Sequence, residues 1–180
     1  AGVISPWSIV PQAIPGIWRS IPSMLLNRNG PLSVRQSFWP KMVPWGLKFL
    51  AKSNVASVRE ISDAMEILCR PSISLYHRHL EGTGHESLII DSWYIHAFRN
   101  AQKANLRDLG YAIRQQKGAE MELVGQQDLK QLEPALSPTF KAAIVIKGQA
   151  RAYAPGRIGQ VLAEKVRAQG GEILRAEIMG

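Results

Sequence analysis

The chain has 180 residues, of which 46% are hydrophobic and 20% charged, with a formal net charge of +8. That is enough apolar material for one domain with a core, or for pieces of two, and too little charge for wholesale disorder. No run approaches the ~20 apolar residues of a membrane-spanning helix. The single cysteine, Cys69, excludes an internal disulfide and fits a reducing compartment.

The charge is uneven. Residues 1–60 hold seven Lys/Arg against Glu60 alone, residues 61–120 seven against seven, and residues 121–180 eight against six. The basic third also contains Trp7, Trp18, Trp39 and Trp45 and seven of the eleven prolines. Proline removes backbone donors and restricts its predecessor, so only short helices are expected here, around 17–26 and 45–52. Cations interleaved with tryptophan suit an anionic membrane or a nucleic acid. With no cluster of four basic residues, packing of the tryptophans on a neighbouring domain is the preferred reading.

Residues 54–81 read as helix. Ser57-Val-Arg-Glu60 has the form of a capping box, Val58, Ile61, Met65 and Leu68 share a face, and Pro71 kinks or restarts the helix. Glu81-Gly-Thr-Gly-His85 is a stop and turn. Leu88–Ile90 and Trp93–Phe98 read as strands, the second alternating Tyr94, His96 and Phe98 against Trp93, Ile95 and Ala97. A helix is expected over 105–116, a short strand over 120–124, and a helix over 126–133 stopped by Pro134. A strand follows over 142–154, then a helix from Pro155 to about Ala168. Gly170-Gly171 then leads into a last strand over 172–178.

Several chemistries are disfavoured. His77 and His79 point to opposite helix faces, and neither a Cys pair nor H-E-x-x-H supports a metal. No G-x-S-x-G marks a nucleophilic serine. Neither a basic helix face nor an aromatic strand supports nucleic-acid binding. Cys69 reads as a small apolar residue. No G-x-G-x-x-G follows a strand, so nothing in the chain reads as a pyrophosphate loop.

Three stretches, in order, carry a resemblance. Ala1-Gly2-Val3-Ile4-Ser5, then Gly30-Pro31-Leu32 and Pro44-Trp45-Gly46-Leu47-Lys48-Phe49-Leu50, resemble the "N-A-G-x-I … G-P-L … W-x-x-x-F-L" region of bacterial D-amino-acid dehydrogenases. Leu129 to Leu136, with Glu133-Pro134, is similar to the "L-x-x-x-E-P-x-L" turn of the D-amino-acid oxidase/dehydrogenase superfamily. Pro155-Gly156-Arg157-Ile158 with Leu162-Ala163 and Gly170-Gly171 resembles the family's helix returning to the flavin domain. Trp93 stands where the family commonly has a glycine, which implies a bulkier cavity wall.

The resemblance implies the central fragment of an FAD-dependent oxidoreductase. Its fold would be α+β or α/β: a mixed sheet layer with covering helices, plus a partial flavin-domain strand–helix–strand. Residues 1–54 would pack on the flavin domain, 55–152 would form the substrate-binding domain and 153–180 part of the FAD-binding domain. Ala1, Gly2, Val3 and Ile4 would lie beside the isoalloxazine, small enough for backbone N–H groups to approach it. No residue is assigned as catalytic or as a metal ligand. The implied reaction takes hydride from an amino acid or related amine to the flavin, with a quinone, another carrier or dioxygen as acceptor. The chain alone would be inactive. The expected location is cytoplasmic, with peripheral contact on the inner face of the membrane as a variant. The alternative left open is a non-catalytic basic α/β module that docks on a membrane surface or a protein partner.

Overall fold

The computed structural model describes residues 2–27 and 33–177. Gly30-Pro31-Leu32, Ala1 and the end of the expected last strand lie outside the described residues. The chain divides into two compact units, one formed by residues 1–8 and 68–180, the other by residues 9–67.

The larger unit is built on one sheet in which every pairing is antiparallel. Strands β1 (Gly2–Ile4), β2 (Ile89–Phe98) and β3 (Met121–Gly125) all pair with β4 (Ala142–Ala152). The run Ala-Ala-Ile-Val-Ile over 142–146 is buried throughout, as a strand covered on both faces requires. Ala142, Ile144 and Ile146 pack with Ala104, Phe98, Tyr111 and Trp7. Ala143 and Val145 pack with Val124, Leu129 and Phe140. Beyond Lys147 the strand carries an irregularity: Ser92 pairs with Gln149 but Tyr94 pairs with Ile146, so β4 spends one residue more than β2. Gly148 sits there at φ +64°, the left-handed geometry that glycine adopts without penalty at a bulge. This bulge runs through what the sequence pattern presents as two strands, and it merges them into β2.

A second cluster joins Ile4, Leu80, Ile89, Ala150 and Ala152 to Ile158 and Val161. Leu80 ends α4 (Ser72–Leu80), and Ile158 and Val161 lie one turn apart on α7 (Pro155–Ala168). Pro155 opens α7, where its fixed φ is already helical and its missing N–H costs nothing. Gly170 closes it at φ +85°. The Gly170 N–H donates to the Arg167 carbonyl (3.0 Å) and the Gly171 N–H to the Val166 carbonyl (2.9 Å), a Schellman closure. A Cβ on Gly171 would fall 2.5 Å from Val166 Cγ1. The glycine pair is therefore a helix stop. Residues 171–177 take no regular structure, and the expected strand from 172 is not formed among the described residues.

The remaining elements of this unit are α5 (Leu109–Gln116) and α6 (Gln126–Leu132). α5 starts four residues later than its periodicity suggests. Asn105 and Asp108 instead hold a turn through a 2.9 Å side-chain hydrogen bond, and the Asn105 side chain also accepts from the Arg107 N–H.

The helical unit contains α1 (Ile21–Leu26), α2 (Trp39–Ala51) and α3 (Val55–Cys69), whose last two residues belong to the larger unit. Proline density understates α2, which runs 13 residues. Pro40 stands in its first turn, where the lost donor is harmless, and only Pro44 interrupts the interior hydrogen bonding. The α3 cap is Asn54, whose Oδ1 accepts from the Ser57 N–H at 2.9 Å. Ser57 is buried inside the helix and does not act as the start of a capping box. Pro71 separates α3 from α4, as expected.

Candidate functional site

The residues expected beside a flavin fall on β1. Ala1 lies outside the described residues. Ile4 is buried in the cluster with Leu80, Ile158 and Val161. A Cβ on Gly2 would sit 3.2 Å from both Ala152 Cβ and Pro155 Cγ, so the absence of a side chain there lets β1 close onto β4 and the start of α7. Val3 alone turns outward, 56% exposed. The close approach at Gly2 and the Ile4 side chain are thus committed to packing. Among the described residues β1 pairs only with β4 and lies at the sheet's edge, with Val3 exposed. A flavin at this edge would be met by backbone N–H and C=O groups and by Val3.

A polar cluster that the sequence pattern does not reveal lies on the sheet face covered by α5. Tyr94, His96 and Phe98 pair with Ile146, Ile144 and Ala142 on that face. His96 Nδ1 lies 2.7 Å from the Tyr111 hydroxyl, and the Tyr94 ring meets the His96 ring edge-on at 4.8 Å. Arg114, one turn along α5, donates from Nε to the Trp7 carbonyl (2.8 Å) and from Nη1 to the Gly110 carbonyl (3.0 Å). Burial, and then the Arg114 charge, hold the His96 imidazole below its ordinary pKa. Burial pushes the Tyr111 phenol up and the Arg114 guanidinium down. The result is a neutral histidine–tyrosine pair beside a cation anchored by two carbonyls. It can hold or pass a proton between Nδ1 and the phenol, and it ties Trp7 to α5. The signal in sequence was the alternation Tyr94-x-His96-x-Phe98, which gives the face but not the partner on a helix fifteen residues away.

Gln149 stands opposite Ser92 in the ladder. It is 2% exposed, and both side-chain amide atoms lack a hydrogen-bond partner. Such a group costs free energy unless something meets it.

The other histidines stay apart. His77 is 3.9 Å from Asp91, and His85 Nε2 is 3.1 Å from Arg157 Nη2. Among the described residues no group of three metal-ligating side chains gathers. The Gly82–Gly84 segment is a turn, capped by the Glu86 carboxylate, which accepts from the Thr83 and Gly84 N–H groups. These main-chain bonds, its own N–H first, hold its pKa below the usual value. Cys69 ends α3, half-buried, with Sγ 3.8 Å from the Ser8 carbonyl.

Comparison with known proteins gives a consistent result. The family model described as "DAO: FAD dependent oxidoreductase" matches residues 4–179. A D-amino-acid oxidase of Bradyrhizobium diazoefficiens is 31% identical over 181 residues, covering all of this chain and 43% of that protein. D-amino acid dehydrogenase 2 of Mesorhizobium japonicum is 27% identical over 137 residues, 76% of this chain and 33% of that protein. D-amino acid dehydrogenase 2 of Ralstonia nicotianae is 38% identical over 53 residues, 29% of this chain and 12% of that protein. The chain spans less than half the length of these curated relatives. No solved structure gives a significant match.

Proposed function

The chain belongs to the DAO family of FAD-dependent oxidoreductases, and from that membership we propose that the protein carrying it oxidises an amino acid at the carbon bearing the amine. The names of its relatives favour a D-amino acid. FAD is the family's cofactor, and when bound it supplies a two-electron acceptor for the Cα–H hydride. The imine left on the substrate adds water and releases ammonia to give a 2-oxo acid. A quinone, another carrier or dioxygen then takes the electrons.

The part of this chain is to bind and to orient. The main chain of β1 (Gly2 to Ile4) and the exposed Val3 lie beside the flavin, while the sheet unit of 68–152 carries the substrate layer. Residues 153–180, with α7, lead toward the flavin-binding part. Gln149 meets a polar group of the substrate, which accounts for an amide buried without a partner. No residue of the chain is assigned a role in bond breaking, because positioning Cα–H against the cofactor and excluding water suffice for this chemistry.

The observation that carries the reading is a family match running almost from end to end of the chain. It is tested by presenting the intact protein, loaded with FAD, with D- and L-amino acids, simple amines and 2-hydroxy acids. Bleaching of the bound flavin under anaerobic conditions and formation of ammonia and 2-oxo acid are followed. Reduction by D-amino acids, with Gln149→Leu raising KM at least about fivefold while flavin content holds, is expected. Reduction by hydroxy acids alone, without ammonia, would replace the substrate class.

A further inference from the structure

β1 is 3 residues long and has β4 as its one partner among the described residues. So short a strand makes few ladder hydrogen bonds, and its position depends on how the chain leaves it. The chain leaves through a turn that starts at Ser5, whose Oγ accepts from the Trp7 N–H at 3.2 Å. Trp7 is then held on several sides. Its ring packs against Ala142, Ile144 and Ile146, and its Nε1 lies beside the bulge at Gly148. Its carbonyl accepts from Arg114 Nε at 2.8 Å. The Arg70 guanidinium stands 5.1 Å from the centroid of its ring, within the range of a cation–π contact. All of these residues belong to the larger unit.

Both arginines are braced on α5. Arg114 Nη1 donates to the Gly110 carbonyl at 3.0 Å. Arg70 Nη2 donates to the carbonyl of Lys117, the residue that caps the C-terminus of α5, at 2.7 Å, where the helix dipole favours a cation. A guanidinium suits this double duty, because its donors lie in one rigid plane and can face the helix and the turn together. No acid pairs with Arg114 among the described residues, and the titratable groups that feel its charge are Tyr94, His96 and Tyr111. A half-buried charge met by carbonyls alone gives up hydration with no ion pair in return. Such an arrangement adds little stability, but it fixes where one carbonyl stands.

Resting on the reading that the main chain of β1 meets the flavin, we propose that Arg114 is a positioning residue for that cofactor. Through the Trp7 carbonyl it sets the depth of β1, and with it the place of the Gly2–Ile4 main chain against the ring. Arg70, over the indole, keeps the turn from swinging about that single hydrogen bond. A misplacement of about 1 Å can cost about 10²-fold in rate, so a clamp remote from the reacting atoms acts on a scale that kinetics can read.

The test is Arg114→Ala in the intact flavoprotein, read by amide hydrogen exchange, by FAD affinity and by anaerobic reduction of the flavin with D-amino acids. Exchange over residues 2–8 is expected to quicken at least about tenfold while the amides of 142–146 hold, since the core and not the clamp protects those. FAD affinity should fall at least about fivefold, as the loss of a hydrogen bond to a charged group allows. The limiting reduction rate should fall at least about tenfold with KM changed less than about threefold, the split of a misplaced cofactor and not of a lost substrate contact. Millimolar guanidinium should restore part of both losses and methylammonium neither, because the planar fork is needed and not the charge alone. Quickened exchange at 142–146 as well would reduce Arg114 to a support of the fold and overturn the proposal. Unchanged exchange over 2–8 overturns it too, as does quickened exchange there with FAD affinity and reduction rate intact, which separates β1 from the flavin. The proposed reaction fails by a different sign: if no amino acid reduces the flavin of the unaltered protein, that reaction falls, and exchange and FAD affinity still decide the clamp.

Discussion

The sheet unit and the helical unit treat their apolar residues in opposite ways. In the first, Leu80, Ile89, Ile113, Val124, Ala143 to Ile146, Ile158 and Val161 are all 5% exposed or less. In the second, among the described residues, only Ile9, Ala13 and Val58 reach a comparable state, and Trp18, Trp39, Val43, Trp45 and Leu47 stand in the open. The contrast follows from chain architecture. A central strand that pairs on both edges buries most of what it carries, here all of 142–146, whereas a proline-punctuated helical stretch has no ladder to organise a second layer against it. Hydrophobic content alone therefore does not locate a core.

Substitutions can break this comparison, and they rank by depth. Ile146→Ala, at a site 1% exposed in β4, should cost about 2–5 kcal/mol in denaturant unfolding of the intact protein. A loss below about 1 kcal/mol would mean that the sheet is not the stabilising core. Gly148→Ala leaves room for the Cβ, whose nearest neighbour is Trp7 Nε1 at 3.8 Å, but keeps φ at +64°. The expected loss is about 1–2 kcal/mol, and thermal melting reads it. Asn54→Ala removes the α3 cap and should cost about 1 kcal/mol, with Asn54→Asp largely restoring it. Trp45→Ala, 58% exposed, should change stability by no more than about 0.5 kcal/mol, and a large loss would show that α2 is a core helix.

The smallest effect is one of pH. The His96 pKa is lowered in the folded state, so the unfolded chain binds more protons wherever the two differ. Stability from the neutral His96–Tyr111 pair is present above the unfolded value of about 6.5 and is lost as pH falls from there through the lowered folded value. The unfolding midpoint of the native protein should drop in that acid window, and His96→Phe should remove this part of the slope. An unchanged slope in the variant would assign it to other groups.

Much of the sheet unit was legible residue by residue. Pro155, the apolar positions 158 and 162 and the glycine pair bound α7 correctly because its starts and stops are local chemistry. β4 announced itself through the unbroken apolar run 142–146. The Gly170-Gly171 stop shows the limit of such reading. The same two residues end a helix and precede a strand equally well, and only the 2.9 Å bond back to Val166 says which role they take. β1 escaped because three residues carry no period and become a strand solely by pairing with 150–152. The His96–Tyr111 contact escaped for the related reason that strand alternation assigns a face but cannot name the helix laid across it.

By itself the sequence determined where α7 begins and ends, the family through ordered short motifs, the lack of a G-x-G-x-x-G motif, and the concentration of cations and tryptophan in the first third. These are properties of neighbouring residues or of composition, and they survive without a fold. Only the tertiary structure decided that one strand would serve three partners, that Gly2 and Ile4 would face the core while Val3 faces out, that Gln149 would be buried without a partner, and that α2 would stay uncovered in its unit. Each depends on what a distant part of the chain brings alongside, and distance in sequence carries no record of it.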